Sequence, residues 1–244
     1  MHAFPRFKHV VVLAMCALLW GAGVAAANPM QWGADVFGGF NTHSMSDWND
    51  IIDQANTSGA SFDNIHSGFS FGAGPTMTTG QWMFGADFER LMAKKSSYQG
   101  TDVEPSANAF GVGVGYMIPG TGPMTWALKA NVDWLTLTGD IHSSTSTPST
   151  ADTHGSGAGF QFLGEGTHSF TPAISGMLQL GYRFADVKIK DIAGQDVSSS
   201  GLTHEDYSGL VARVGFNFHQ PMTSAMHTMS SSMHHHHTTT SSSN

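Results

Sequence analysis

Eight charged residues are the best candidates for chemistry, because each lies among alternating apolar residues instead of in a plainly polar segment. Alternation with a period of two places the charges on one face of a β-strand and the apolar residues on the other. Carboxylates and cations on a shared face can pair with one another or line a polar path for ions. The eight are Asp35, Asp87, Glu89, Lys129, Asp133, Glu165, Arg183 and Arg213.

A second candidate site lies in residues 219–244, which combine histidines and methionines and contain no charged residue. Imidazole binds Cu, Ni and Zn, and thioether sulfur selects Cu(I), so the segment predicts weak capture of one of these metals. The alternative is a polar extension with no metal role. No other cofactor is expected. The candidate ligands are His234, His235, His236, His237, Met229 and Met233.

Enzymatic catalysis is not indicated by the remaining histidines. His142, His154, His168 and His204 lie near serines, but no spacing singles out a nucleophile and its base. Hydroxyl-rich segments bring such residues together by chance. We therefore predict that the chain is not an enzyme.

The first 27 residues have the layout of a secretory signal peptide. Arg6 and Lys8 precede an apolar run, Val10–Gly23, and the small residues of 24–27 follow it. The run is about 14 residues, short of the ~20 needed for a transmembrane helix. Cys16, the only cysteine of the chain, lies inside this segment. Cleavage near Ala27 is predicted to leave a mature chain without a thiol.

Composition narrows the class of the mature chain. Charged residues are 11% of the sequence, and glycine occurs 29 times. Low charge with abundant glycine and aromatic residues favours a membrane β-barrel, although a secreted soluble β-sandwich also alternates. Without Arg6 and Lys8, 8 basic residues face 18 acidic ones. Nucleic acid is therefore not an expected partner, because phosphate binding needs a basic face.

Eight segments alternate between an apolar, aromatic face and a polar or glycine-rich face. The clearest places Trp126, Leu128, Val132 and Trp134 opposite Lys129 and Asp133. Most reach the ~9–11 residues that a tilted strand needs to cross a membrane. The segments are 31–42, 62–74, 81–94, 108–118, 126–134, 157–167, 174–188 and 207–218.

The connections between these segments alternate in length, as in a barrel with short turns at one end and long loops at the other. The first long loop is predicted to hold a helix at Asp47–Ala55 with Ser46 as its N-cap. The short connections are Pro75–Gly80, Pro119–Pro123 and Phe170–Ala173. The long connections are His43–Ser61, Ser96–Ala107, Ile141–Ser156 and Ile189–Asp206. The Ser/Thr-rich part of the third has too little apolar surface to order itself.

Three stretches resemble the small outer-membrane β-barrel proteins, the OmpA/OmpX-like barrels. They are 159–166 followed by 170–175, the "GYR-aromatic" stretch 180–185 and the closing stretch 206–218. The resemblance implies an all-β fold, an eight-stranded antiparallel up-and-down transmembrane β-barrel over residues 28–218. The tail at 219–244 would then be periplasmic, and its polar composition predicts disorder.

The interior of an eight-stranded barrel is only wide enough for side chains to fill it, and buried charges must pair. We therefore expect salt bridges to close the lumen. The expected role is structural or surface-interaction, through the extracellular loops of an outer-membrane protein. Expected partners are outer-membrane lipids and lipopolysaccharide, the outer-membrane assembly machinery and an extracellular ligand. The alternatives are a narrow porin-like channel and metal capture by the tail.

Overall fold

Eight antiparallel strands form a closed barrel. The computed structural model describes residues 30–120, 122–143, 149–192, 195–196 and 203–220. The signal peptide assigned to residues 1–27 and the tail beyond Gln220 lie outside the described residues. The barrel strands are β1 (Met30–Thr42), β2 (Ser67–Thr79), β3 (Trp82–Ala93), β4 (Ser106–Ile118), β5 (Met124–Ser143), β6 (Ser149–Thr171), β7 (Ile174–Ile192) and β8 (Gly209–His219).

Each strand pairs with its neighbours in sequence, and β8 closes the ring on β1. Gly33 pairs with His219 at one end of this seam, and Asn41 pairs with Val211 at the other. The predicted fold class is confirmed: an up-and-down barrel with an even number of strands. The even number brings both ends of the barrel chain to the same rim.

The strand faces have the predicted orientation. Trp126, Leu128 and Trp134 of β5 point outward and are 52%, 62% and 57% exposed, whereas Asp133 is 1% exposed. The outer face therefore carries large apolar side chains around the whole ring. Such a face is stable only against an apolar medium, as for a membrane barrel.

Short connections lie at one rim of the barrel, which we call the short-turn end. They are the two-residue turns Gly80–Gln81 and Pro172–Ala173, and the segment between β4 and β5. The opposite rim, the long-loop end, carries the other connections. The predicted alternation of short and long connections is thus correct, although the third short turn is narrower than Phe170–Ala173.

The second strand is shifted along the chain relative to its predicted boundaries. The expected segment 62–74 is wrong by about five residues, because β2 begins at Ser67 and runs through Pro75 to Thr79. Between the pairs Ala73–Phe88 and Thr76–Gly85, the ladder to β3 skips Gly74 and Pro75. Proline was predicted to begin a turn, but a strand tolerates it where a ladder pairing is absent.

Three strands extend well beyond the length needed to span a membrane. β5, β6 and β7 have 20, 23 and 19 residues, against 11 to 13 in the other barrel strands. Their extensions form a sheet at the long-loop end. It is joined by four short strands: Ser96–Tyr98, Thr101–Glu104, Gln195–Asp196 and His204–Asp206.

The extensions correct three of the predicted long loops. A hairpin of two short strands occupies part of Ser96–Ala107. β5 and β6 take up most of Ile141–Ser156 and leave only 144–148, which lie outside the described residues. β7 runs four residues past the predicted end at Lys188. The predicted strand ended where the apolar residues change from the outer to the inner face.

Helix α1 (Ser46–Thr57) lies in the first long loop and matches the predicted helix within two residues at its C-terminus. Ser46 as N-cap is wrong: Met45 occupies that position in a left-handed conformation, and no side chain caps the helix. Trp48, Ile52 and Ala55 share one face at helical spacing. In the described part of the chain, no helix is long and apolar enough to cross a membrane.

Candidate functional site: the charged lumen and its cap

A carboxylate shared by two arginines lies at the centre of the lumen. Oε2 of Glu89 accepts hydrogen bonds from Nη2 of Arg183 and, at 2.6 Å, from Nη2 of Arg213. The three residues come from β3, β7 and β8 and are 0%, 1% and 2% exposed. Charges this deeply buried are stable only when paired. The shared Glu89 carboxylate therefore links β3 to β7 and β8, which are not its neighbours in the ring.

Asp133 and two glutamines extend this central cluster. Nε of Arg183 lies 3.7 Å from Oδ2 of Asp133, which also accepts a hydrogen bond from Gln161. Arg213 donates to Oε1 of Gln161 at 2.8 Å and to Oε1 of Gln179 at 3.4 Å. The amides thus use donor and acceptor atoms at once, which suits a crowded polar interior.

A second cluster lies nearer the short-turn end. Nζ of Lys129 is 2.8 Å from Oε2 of Glu165 and 3.5 Å from Oδ2 of Asp35. Gln179 donates to the same Glu165 oxygen at 2.7 Å. Since Gln179 also accepts from Arg213, it connects the two clusters into one network.

Asp87 is the exception among the eight predicted charges. It faces the lumen but forms no ion pair with any described residue. It lines a cavity of about 30 Å³ together with Asp35, Lys129 and Arg213. That volume holds one or two water molecules. The structure therefore brings seven of the eight charges into ion pairs and leaves Asp87 beside a small cavity.

Sequence reasoning missed the amides that complete the network: Gln161, Gln179 and Asn217, the last of which donates to Oδ1 of Asp35. Each alternates with lipid-facing residues in the same register as a predicted charge. This alternation could have identified the three amides as lumen residues. They were missed because only charged residues were selected from the inner face.

The short-turn end of the lumen opens into a wider vestibule of about 440 Å³. Hydroxyl and amide side chains line it together with apolar ones such as Met83 and Met117, and Glu165 is also part of the wall. Representative lining residues are Gln31, Thr78, Thr125, Thr167, Ser169 and His219. The lumen is therefore open to solvent at this end and becomes closed at the charge network.

The other half of the lumen is apolar, which the sequence analysis did not predict. Side chains from β3, β4, β5 and β7 point inward and pack against the segment 43–66, which includes α1 and which we call the cap. Leu91, Leu135 and Leu137 of the barrel and Met45 of the cap are each 0% exposed. The long-loop end is therefore filled by a hydrophobic core instead of water.

Polar contacts fasten the cap to the segment 203–207 before β8. Nε1 of Trp48 donates to Oε1 of Glu205, and Oδ2 of Asp47 accepts from the backbone N–H of His204 at 3.0 Å. The backbone N–H of Met45 donates to the carbonyl of Asp206 at 3.1 Å. These contacts hold the helix across the mouth of the barrel.

Two titratable groups are buried beneath the cap. Burial raises the pKa of Glu205 to about 7, although the hydrogen bond from Trp48 acts in the opposite direction. Burial lowers the pKa of His43 to about 4, and the charge of Arg183 lowers it further. The His43 ring meets the Tyr207 ring edge-on at a centroid distance of 5.2 Å.

These two groups predict opposing effects of pH on closure of the cap. Glu205 is protonated up to about pH 7 when buried but ionises near 4.5 when exposed, so its contribution to closure falls as pH rises through this window. His43 is neutral down to about pH 4 when buried but protonates near 6.5 when exposed, so its contribution falls as pH decreases. Between pH 4.5 and 6.5 the two effects offset each other.

Glu205→Gln removes one of these effects and should expose the other. Protection of residues 43–66 against hydrogen exchange, corrected for intrinsic rates, should be nearly independent of pH in the wild type. In the variant it should rise between pH 4 and 6.5 by up to about 100-fold. The matched His43→Gln variant should lose protection as pH rises. Flat profiles in both variants would contradict this assignment.

The four histidines considered for catalysis are divided between the two ends of the barrel. His142 and His154 lie on the strand extensions at the long-loop end. His168 lies on β6 beside the short turn, next to Phe170, whereas His204 lies at the long-loop end and pairs with Asp186. The predicted metal ligands His234–His237, Met229 and Met233 lie outside the described residues. In the described residues, no group of three or more His, Cys, Asp or Glu side chains is arranged to hold a metal.

Together these features define the class of protein. The molecule is a closed eight-stranded barrel with an apolar outer face and a charged, packed interior. It has short turns at one rim and long connections at the other. This is the architecture of the small outer-membrane β-barrels, and the expected resemblance is confirmed at the level of the fold. In that class the short-turn end is periplasmic and the long-loop end is extracellular.

The chain is similar to several solved structures. A major outer membrane protein from Thermus thermophilus is similar, with a TM-score of 0.53 at 9% identity over 78% of this chain and 99% of that chain. Neisserial surface protein A (NspA) gives a TM-score of 0.45 at 15% identity, covering 78% of this chain and 96% of the other. OprG from Pseudomonas aeruginosa gives 0.42 at 10% identity, covering 79% and 96%. No protein-family model and no curated protein matches the sequence.

Proposed function

We propose that this protein is a non-enzymatic β-barrel of the outer membrane with a closed lumen, whose role is structural or surface-interacting. The proposal places the long-loop end outside the cell and the vestibule in the periplasm. The fold shared with the Thermus outer membrane protein supports the location. The lipid-facing aromatic surface supports it independently, because soluble proteins rarely expose so large an apolar area.

One observation carries the proposal of a closed lumen: the cap and the inward apolar residues fill the extracellular half of the barrel. Leu91, Leu135 and Leu137 are completely buried there. Below them, the Glu89–Arg183–Arg213 cluster occupies the centre with almost no exposure. A porin-like channel would need both layers to open, and this argues for the closed barrel over the narrow pore.

The extracellular surface supports a surface-interaction role. The extended strands and the short strands added to them build an ordered sheet above the membrane, and the cap adds a helix beside it. A barrel that served only as a membrane anchor would not need strands of about twice the membrane-spanning length. We propose that this surface contacts an extracellular ligand.

Conductance across planar bilayers tests the closed lumen. The refolded wild-type barrel should give no steady current steps in 1 M KCl, whereas an open porin reconstituted in parallel should. A variant with residues 46–57 replaced by a Gly/Ser linker of equal length should also stay closed, because the buried charge cluster remains. Steady, ion-selective steps from the wild type would instead support the porin-like alternative.

A second role, metal capture by the tail, remains a prediction. Its support is the sequence of residues 219–244 alone, where imidazole and thioether groups suit Cu, Ni and Zn. The last strand ends at His219 beside the vestibule, so the tail would begin on the periplasmic side. Interaction with the outer-membrane assembly machinery likewise remains a proposal, based on the barrel fold.

A further inference from the structure

The outward face of β7 changes chemistry at the top of its lipid-facing part. Tyr182 and Phe184 point outward and are 38% and 53% exposed. The next outward positions are Asp186, Lys188 and Lys190, all of them exposed. One strand thus carries aromatic side chains at the level of the lipid tails and cations directly above them.

We propose that Lys188 and Lys190, with His204 beside them, bind the phosphate groups of an anionic glycolipid in the outer leaflet. The proposal rests on the outer-membrane location proposed above, and it names the residues behind the expected contact with lipopolysaccharide. We call these three residues the basic patch.

The strand register places small residues of β6 next to the basic patch. Lys188 is opposite His204 on one side and Ser156 on the other. Asp186, one step closer to the membrane, is opposite Ala158. Because Ser156 and Ala158 are small, the β6 side of the patch leaves room for a headgroup next to the lysine side chains.

The height of the patch fits the headgroup layer. Lys188 lies four positions beyond Phe184, which is about 13 Å along the strand and about 10 Å along the membrane normal at the usual strand tilt. Long lysine side chains bend toward phosphates while their methylenes cover apolar surface. Lys188 therefore reaches the region just above the aromatic girdle, where lipid phosphates lie.

Charge pairing distinguishes the patch from the other basic side chains near the long-loop end. Lys94 and Lys95 lie 3.7 and 2.7 Å from carboxylates. Arg90 donates to three polar side chains. Within the described residues, Lys188 and Lys190 form no ion pair, so they keep two positive charges available on a protein that is otherwise acidic.

Three carboxylates lie at this site, because Asp206 is opposite Asp186 and Asp47 accepts from the backbone N–H of His204. Among the described residues, none of them forms an ion pair with either lysine. Oδ2 of Asp186 lies 3.4 Å from Nδ1 of His204, so the acid is engaged by the histidine instead of by a lysine. The lysines thus complement a doubly anionic partner, and the aromatic face below them complements its acyl chains. This combination fits a phosphorylated glycolipid better than a soluble anion.

Native mass spectrometry of the refolded full chain in detergent micelles tests the proposal. The probes are bisphosphorylated lipid A and the same lipid A after removal of both phosphates. The test variant is Lys188→Gln/Lys190→Gln, and the matched control is Lys94→Gln/Lys95→Gln. Heat-modifiable gel mobility establishes that each variant is folded.

The wild type should retain bisphosphorylated lipid A in preference to the dephosphorylated form. The test variant should bind it about 25-fold more weakly, as expected for the loss of two charges near an anionic lipid surface. The control should change by less than about twofold, as expected for exposed, already paired charges. Equal binding by both double variants, no preference for phosphates, or equal competition by inorganic phosphate would overturn the proposal. Because binding is independent of conductance, failure here is distinguishable from failure of the closed-lumen proposal.

Discussion

Replacing Glu89 with alanine is expected to destabilise the barrel by about 3–5 kcal/mol, the cost typical of leaving buried charges without their partner. Glu89 is the carboxylate shared by Arg183 and Arg213, and its side chain has no exposed surface. Its loss leaves Arg213 with two glutamines and the Phe37 ring, and it leaves Arg183 with Asp133 at 3.7 Å. Urea unfolding in detergent micelles, followed by tryptophan fluorescence, gives the measurement.

Asp87→Asn provides the matched control, because Asp87 is a lumen carboxylate without an ion pair among the described residues. It should be neutral or stabilising, since it removes a charge that no described cation neutralises. In a double-mutant cycle, Glu89→Ala combined with Arg213→Met should recover part of the loss from Glu89→Ala alone. Strictly additive effects would show that the two charges are not coupled, and the network interpretation would fail.

The architecture could be predicted because the membrane strongly constrains every second residue of each membrane-spanning strand. A side chain that faces lipid must be apolar, so outward residues such as Leu128 and Val132 alternate visibly with inward Lys129 and Asp133. Tight turns added a second signal through proline and glycine. Together they are sufficient to give the strand number and the faces.

The same alternation rule does not predict the apolar half of the lumen. Above the membrane, the apolar residues of a strand move from its outward to its inward positions. In β7, Tyr182 and Phe184 face outward, but beyond them Val187 and Ile189 face inward while Lys188 faces outward. Outside the bilayer the solvent is water, so the inner face becomes the place to bury apolar residues. A search for this change of phase would have found the strand extensions and the core beneath the cap.

The sequence also could not predict which lumen charges pair with one another. The charges could be assigned to the inner face, but partner choice depends on the shear of the barrel, which sets residues from distant strands side by side. Glu89 lies 124 positions from Arg213 and 94 positions from Arg183. Pro75 illustrates a related limit: its effect depends on which neighbouring strand would have received its N–H.

Arginine introduced on the lipid-facing side of β5 should impair folding according to its depth. Trp126 and Trp134 lie on the outward face eight residues apart, so they mark the two aromatic girdles, and Leu128 and Val132 lie between them. Leu128→Arg or Val132→Arg should cost ~2–4 kcal/mol, the cost of a cation near the middle of the lipid face. Heat-modifiable gel mobility of refolded samples measures the folded fraction, and urea unfolding gives the free-energy difference.

Thr136→Arg supplies the control on the same strand and the same face. Thr136 is exposed and lies two residues beyond Trp134, above the girdle, where an added arginine should cost ~0–1 kcal/mol. The steep dependence on depth separates a lipid environment from simple crowding, because all three positions are open to the outside of the barrel. If the three variants fold equally well, the outward face of β5 does not contact lipid, since water would solvate each arginine alike. A cost at Thr136 as large as at Leu128 would place the membrane boundary beyond Trp134 and would move the basic patch into the hydrocarbon layer, where its lysines could not remain charged at acceptable cost.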